Sequence, residues 1–151
     1  KFLEENKDNY DLIIIKQTVH FFSKKQLKKL LNLIKERLNK GGKLLIFSLI
    51  TKNNQIPCFK KMKKKLDIGL KRDERLLRFI NQNLKKVRIT NFKYNVNVSK
   101  IKYIKMLKNR YISCLLNFSK QDLLKGISEL NLNYKSRIKF TDTLKCIVYQ
   151  K

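Results

Sequence analysis

His20 is the only histidine in the 151 residues, which excludes a two-His metal site and leaves the chemistry of a lone imidazole, a base or proton carrier near neutral pH. The competing role is packing beside Phe21 and Phe22. Arg110, Tyr111 and Ser113 form a second group: a guanidinium with two nearby hydroxyls suits a carboxylate or phosphate on a substrate. Tyr111 and Leu115 also fall on one helix stripe, so Tyr111 could pack in the core, and Arg110 could be solvated. Cys58, Cys114 and Cys146 are far apart and odd in number, which points to reduced thiols inside a cell and against a disulfide framework or a CxxC metal site. Cys114 has no neighbouring base and reads as core. No metal is expected.

The segment 59–86 is the most basic, with Lys60-Lys61-Met62-Lys63-Lys64-Lys65 behind Phe59. It opens a nucleic-acid-binding reading through phosphate contacts. Stacking aromatics are not interleaved with these lysines, and no RNP, KH or zinc-finger pattern accompanies them. A solvated helix face in a Lys-rich protein is the competing account.

That account has support in the composition. Thirty-seven basic against 11 acidic residues give +26, yet the 37 divide into 30 Lys and 7 Arg, beside 15 Asn, 16 Ile and no Ala. Lys, Asn and Ile have A/T-rich codons, whereas a phosphate-binding surface more often recruits the bidentate fork of Arg. Apolar residues make up 42% and fall in periodic blocks, so a folded chain is expected despite the charge. No run reaches the roughly 18–20 apolar residues of a membrane helix, and no signal-peptide pattern follows Lys1. A cytoplasmic setting is expected, and with no initiator Met the chain reads as a piece of something longer.

Positioning these groups requires elements that the pattern supplies. Asp11-Leu12-Ile13-Ile14-Ile15 predicts a strand buried on both faces of a parallel sheet. Ser23 and Gln26 form a capping box, with Phe22 and Leu27 as staple, and Leu27, Leu30, Leu31, Ile34 and Leu38 make one stripe that Gly41-Gly42 stops. Leu44-Leu45-Ile46-Phe47 begins a second strand, so residues 1–50 read as a βαβ unit. Residues 51–98 read as a basic helical insertion and a strand. Phe59, Met62, Leu66, Leu70, Leu77, Ile80 and Leu84 share a stripe that Gly69 weakens, predicting one kinked helix or two short ones. Val87 to Val98 alternates as a strand, with a phase slip near Asn91 suggesting a bulge or turn. Residues 99–151 read as helices and a final strand. Ser99 caps a helix bearing Ile101, Ile104, Leu107, Tyr111 and Leu115; Ser119 caps another bearing Leu123, Ile127 and Leu130; β-rich runs 138–140 and 144–149 close the chain.

The stretch Tyr10-Asp11-Leu12-Ile13-Ile14-Ile15-Lys16-Gln17-Thr18-Val19-His20-Phe21 resembles the fourth strand and following loop of class I S-adenosylmethionine (SAM)-dependent methyltransferases. The helix of residues 23–39, the turn Asn39-Lys40-Gly41-Gly42 and the strand Lys43 to Leu49 resemble that family's next helix, its Lys-Pro-Gly-Gly turn and its fifth strand, with Lys40 where Pro is usual. Asn109-Arg110-Tyr111-Ile112-Ser113-Cys114-Leu115, then Gly126-Ile127-Ser128-Glu129-Leu130 and a last strand, is similar to the tail of small-molecule members. The resemblance implies an α/β fold: strands four to seven of a Rossmann-like sheet, mixed parallel and antiparallel, with flanking helices. It implies SAM as cofactor beside Lys16, Gln17 and Thr18, His20 as catalytic base or pocket wall, and Arg110, Tyr111 and Ser113 toward a small methyl acceptor.

The family's Gly-rich loop and acidic ribose-binding residue would precede residue 1, and none of the four glycines can substitute. The resemblance therefore implies the C-terminal part of one methyltransferase domain, inactive alone, whose partner is the missing N-terminal half or a completing subunit. The other readings are a non-enzymatic basic nucleic-acid-binding protein and a degenerate methyltransferase-like subunit. Without its first strand, the strand at 11–15 becomes an edge. Stranding three large side chains, at roughly 1.5–3 kcal/mol each, rivals the lower half of a domain's stability of about 5–15 kcal/mol. A marginal, aggregation-prone piece is expected.

Overall fold

Strands β1 (Tyr10–Lys16) and β2 (Leu38–Leu49) lie parallel, and helix α2 (Lys24–Arg37) carries the chain between them. This is the expected βαβ unit. The computed structural model describes residues 2–5 and 7–151, beginning with a short helix α1 (Phe2–Glu5). The capping box is present: Ser23 Oγ accepts from the Gln26 N–H, and Gln26 Oε1 accepts from the Ser23 N–H. Leu27, Leu31 and Ile34 are buried on the predicted stripe.

Gly41 and Gly42 do not stop this helix. Leu38 is already extended, and the glycines lie inside β2 where the pairing with β1 slips between Tyr10 and Leu12. Gly41 has φ +80°, and a Cβ on Gly42 would come within 2.9 Å of the Asn39 carbonyl oxygen and 3.0 Å of that of Tyr10. Both positions need glycine for the irregularity, which is why a helix-end signal appears three residues late.

Helix α3 (Lys60–Asn83) is one continuous helix where a kink or break at Gly69 was expected. Its N-terminal half buries Met62, Leu66 and Leu70 in one apolar cluster, and its C-terminal half buries Leu76, Leu77 and Ile80 in another. Anchorage at both ends outweighs the cost of about 1 kcal/mol for one interior glycine.

Strand β3 (Arg88–Ser99) and strand β4 (Arg137–Gln150) pair antiparallel without interruption, from Arg88 opposite Val148 to Ser99 opposite Arg137. The expected bulge near Asn91 is absent. β3 is an edge strand, largely exposed on both faces, so its apolar alternation is set by few burial constraints. The two closing runs form a single strand because β3 pairs with β4 without a break through Thr141–Thr143, and β2 joins on the other side from Leu144 onward. The sheet order is β1-β2-β4-β3, giving a mixed α/β sheet.

Helix α4 (Lys100–Lys108) is shorter than its predicted stripe. It buries Tyr103 and Leu107, leaves Ile101 81% exposed, and ends before Arg110, whose φ is +51°. Tyr111 and Leu115 therefore lie beyond the helix, Leu115 in a 3-10 turn. Helix α5 (Lys120–Asn133) begins as predicted, with Ser119 accepting from the Asp122 N–H and Leu123, Ile127 and Leu130 buried.

The two faces of the β1–β2 end differ. Ile13, Ile15, Leu44, Ile46 and Ile147 join α2 and the C-terminal half of α3 in one core cluster. Alternation sends Leu12 and Ile14 to the opposite face, where they stay 50% and 55% exposed. β1 is thus an edge strand, half-covered, in place of a strand buried on both faces. Among the described residues, no helix is long and apolar enough to cross a membrane.

Candidate functional site

The C-terminal ends of β1 and β2 open into a cavity of about 1230 Å³ that runs between α3, α4 and the β3–β4 ribbon. Gln17 and His20 line it from the end of β1, and Ser48 and Leu49 from the end of β2. This is the edge where open α/β sheets gather ligand-binding loops. The chain turns out of β1 through Gln17, a non-glycine residue at φ +54° whose N–H donates to the Phe47 carbonyl at 2.8 Å. Strain of this kind concentrates at working loops. Lys16 and Thr18 flank it, both exposed.

His20 sits in the following 3-10 turn, its ring 4.2 Å from that of Phe21. Nδ1 lies 4.0 Å from Asp73 Oδ2, with the two side chains 14% and 10% exposed. Nε2 is buried with no hydrogen-bond partner. Burial pulls the imidazole pKa down, opposed by the Asp73 charge and reinforced by Arg72. Burial also raises the Asp73 pKa, opposed by His20 and by Arg72, whose Nη2 is 3.4 Å away. A neutral imidazole whose Nε2 has no hydrogen-bond partner is the state of a proton acceptor.

Asp73 escaped the sequence reading, although a signal for it existed. The α3 stripe jumps seven residues from Leu70 to Leu77, and Asp73 occupies the vacant position, three after one and four before the other. A carboxylate on the buried face of a Lys-rich helix is the exception that marks a site.

Farther along the cavity, Tyr94 donates to Asp142 Oδ2 at 2.6 Å, across the β3–β4 pairing that places the two residues opposite each other. That bond and partial burial push the Tyr94 pKa up to about 12. Asp142 Oδ1 is buried without a partner. Tyr103 donates to the Pro57 carbonyl at 2.7 Å, so the 2.9 Å contact between the Tyr103 and Tyr111 hydroxyls has Tyr111 as donor. Burial raises both phenol pKa values, keeping the pair neutral.

Tyr111 and Ser113 line the cavity, and Arg110 does not. Its Nη2 donates to the Phe118 carbonyl at 2.9 Å, and it borders a separate hollow with Lys108 and Lys120. Cys58 and Cys114 pack against the core with burial raising their thiols to about 12 and about 11, far from the reactive range. Among the described residues no His, Cys, Asp or Glu cluster could hold a metal.

The basic segment is the solvent side of α3, and part of its charge is used internally. Lys61 pairs with Asp122 at 2.7 Å and Lys63 with Asp67 at 2.9 Å, while Lys65 lies 4.5 Å from the Phe118 ring centre.

No family model and no curated protein sequence matches the chain. Among solved structures it is similar to phosphoethanolamine N-methyltransferase 2 of Haemonchus contortus in complex with phosphomonomethylethanolamine and S-adenosylhomocysteine, at 13% identity and a TM-score of 0.45. That match covers 97% of this chain and 34% of the other, so the chain spans about a third of that enzyme's length. It is also similar to the plantazolicin methyltransferase BpumL in complex with a triazolic desmethylPZN analogue and S-adenosylhomocysteine, at 12% identity and a TM-score of 0.38, over 99% of this chain and 57% of the other.

Proposed function

We propose that this chain is the acceptor-side part of a SAM-dependent methyltransferase acting on a small molecule, with His20 as the base. The observation that carries the reading is the placement of His20: past the end of a parallel strand, lining the cavity, its pKa lowered by burial and its Nε2 without a hydrogen-bond partner. The family resemblance of residues 10–21 and 23–49 supports it. SAM, when bound, would supply a methyl group on a sulfonium centre open to in-line displacement. Such a reaction gains most from positioning, and a base helps when the attacking atom carries a proton. His20 Nε2 takes that proton, and the Asp73 carboxylate, 4.0 Å from Nδ1, stabilises the imidazolium that forms. Tyr111 and Ser113 bound the acceptor's side of the cavity.

The cofactor fits this chain only in part. Gln17, with Lys16 and Thr18 beside it, offers one wall. A glycine cradle does not come from Gly41 and Gly42, which serve the β2 irregularity, nor from Gly69 and Gly126, which lie inside helices. We assign the remainder to an N-terminal half or a subunit that pairs with the open edge of β1 and covers Leu12 and Ile14. A cytoplasmic enzyme is the expected setting.

The test is calorimetric titration of S-adenosylhomocysteine into this chain and into the protein carrying the sequence encoded upstream of Lys1. Saturable binding only to the longer protein, weakened at least about tenfold by Gln17→Ala, fits the reading. A longer protein that binds nothing sinks it.

A further inference from the structure

Only 11 of the 151 residues are acidic, and two of them, Asp73 and Asp142, line the cavity at the C-terminal ends of β1 and β2. Their situations differ. Asp73 is engaged by Arg72 and His20. Asp142 accepts one hydrogen bond, from Tyr94, and keeps Oδ1 buried with nothing bonded to it. An unsatisfied buried carboxylate oxygen costs more than an ordinary unmade hydrogen bond, so a site that retains one is built for a donor or a cation.

Aromatic side chains line the same cavity as this carboxylate. Phe140 is two residues before Asp142 on the same face of β4, and Tyr94 is its cross-strand partner. Tyr111 lies close enough for the Asp142 charge to act on its phenol. Tyr103 fixes this wall from behind, edge-on to Tyr111 at 5.9 Å and to Phe140 at 6.3 Å. The cations lining the same cavity are otherwise placed: Arg72 is on Asp73, Lys65 is against Phe118, and Lys102 stands exposed on α4.

We propose that Asp142, with Tyr94, Tyr111 and Phe140, forms a subsite for a substituted ammonium group, and hence that the acceptor carries a cationic amine. Ring faces attract a cation through their quadrupole and the carboxylate neutralises it, together favouring an ammonium over an uncharged group of the same shape. The molecule's +26 opposes any cation at long range. That repulsion is screened beyond about 8 Å at physiological salt, so the preference must arise from contacts. Naming the acceptor class rests on the methyltransferase reading; the subsite itself does not.

The probes are choline and its uncharged carbon isostere 3,3-dimethylbutan-1-ol, titrated into the 151-residue chain at pH 7 and followed by NMR. Choline is expected to bind at least about tenfold more tightly, with shifts at Tyr94 and Tyr111. Asp142→Asn should erase the difference, and Tyr94→Phe should reduce it while leaving the NMR spectrum folded. Equal binding of the two probes to the unaltered chain overturns the proposal without reference to any variant. Choline binding in a protein that ignores S-adenosylhomocysteine would keep the subsite and remove the methyltransferase; cofactor binding without choline preference would do the reverse.

Discussion

His20 Nδ1 stands 4.0 Å from Asp73 Oδ2, joining a loop after β1 to the middle of α3, 53 positions later in the chain. At that distance the carboxylate acts on the ring through its charge, opposing the effect of burial on the imidazole. In the completed enzyme, His20→Gln should lower methyl transfer by about 10²- to 10⁴-fold to an acceptor that must lose a proton. Asp73→Asn should lower it less and shift the acid limb of the pH–rate profile, because Asp73 acts on the ring through its charge without touching the reactants. Unchanged rates in both variants would make the pair structural only.

Stability should report the same histidine. Burial lowers the His20 pKa in the folded chain, so the unfolded chain takes up a proton near pH 6.5 that the folded one resists. Stability contributed by the neutral ring is complete above that pH and is lost as pH falls from there through the folded pKa. Asp73 acts oppositely: its raised pKa means the folded chain gains stability as its carboxylate is protonated. Urea unfolding from pH 7.5 to 5 should show a slope that His20→Gln flattens, and Asp73→Asn should not lower the midpoint at pH 7. An identical slope in His20→Gln contradicts this assignment.

The open edge makes a solubility prediction. Leu12→Thr with Ile14→Thr in this chain should reduce light scattering on concentration without lowering its melting temperature, since both side chains are half-exposed. In the completed protein the same change should cost about 1.5–3 kcal/mol for each side chain buried there. No loss in the completed protein would mean that nothing covers this face.

A third region is testable by a single methyl group. A Cβ on Gly126 of α5 would lie 2.4 Å from the ring of Phe59, itself buried edge-on to Phe118 at 5.5 Å. Gly126→Ala should destabilise by about 1–3 kcal/mol through overpacking, despite Ala's better helix propensity. A raised melting temperature would show that the α3–α5 contact gives way freely.

Much of this arrangement could be read from residue order. The Ser23–Gln26 box, the parallel β1–β2 pair and the Ser119 cap depend on local chemistry and came through intact. Helix ends did not, where distant packing decided them: Gly41-Gly42 serve a strand irregularity, and α4 stops before Arg110, which is at φ +51° and donates to the Phe118 carbonyl. Within the site, His20 was conspicuous as the sole histidine. Its partner Asp73 and the carboxylate of Asp142 were visible only as polar residues where the apolar pattern called for another hydrophobe.

In the proposed enzyme the loop leaving β1 faces the methyl donor. Ultraviolet crosslinking of methyl-tritiated SAM to the completed protein, followed by peptide mapping, tests it most directly. Saturable labelling within residues 16–21, competed by S-adenosylhomocysteine, is expected. Saturable labelling confined to other segments of this chain, or none at all, would contradict it.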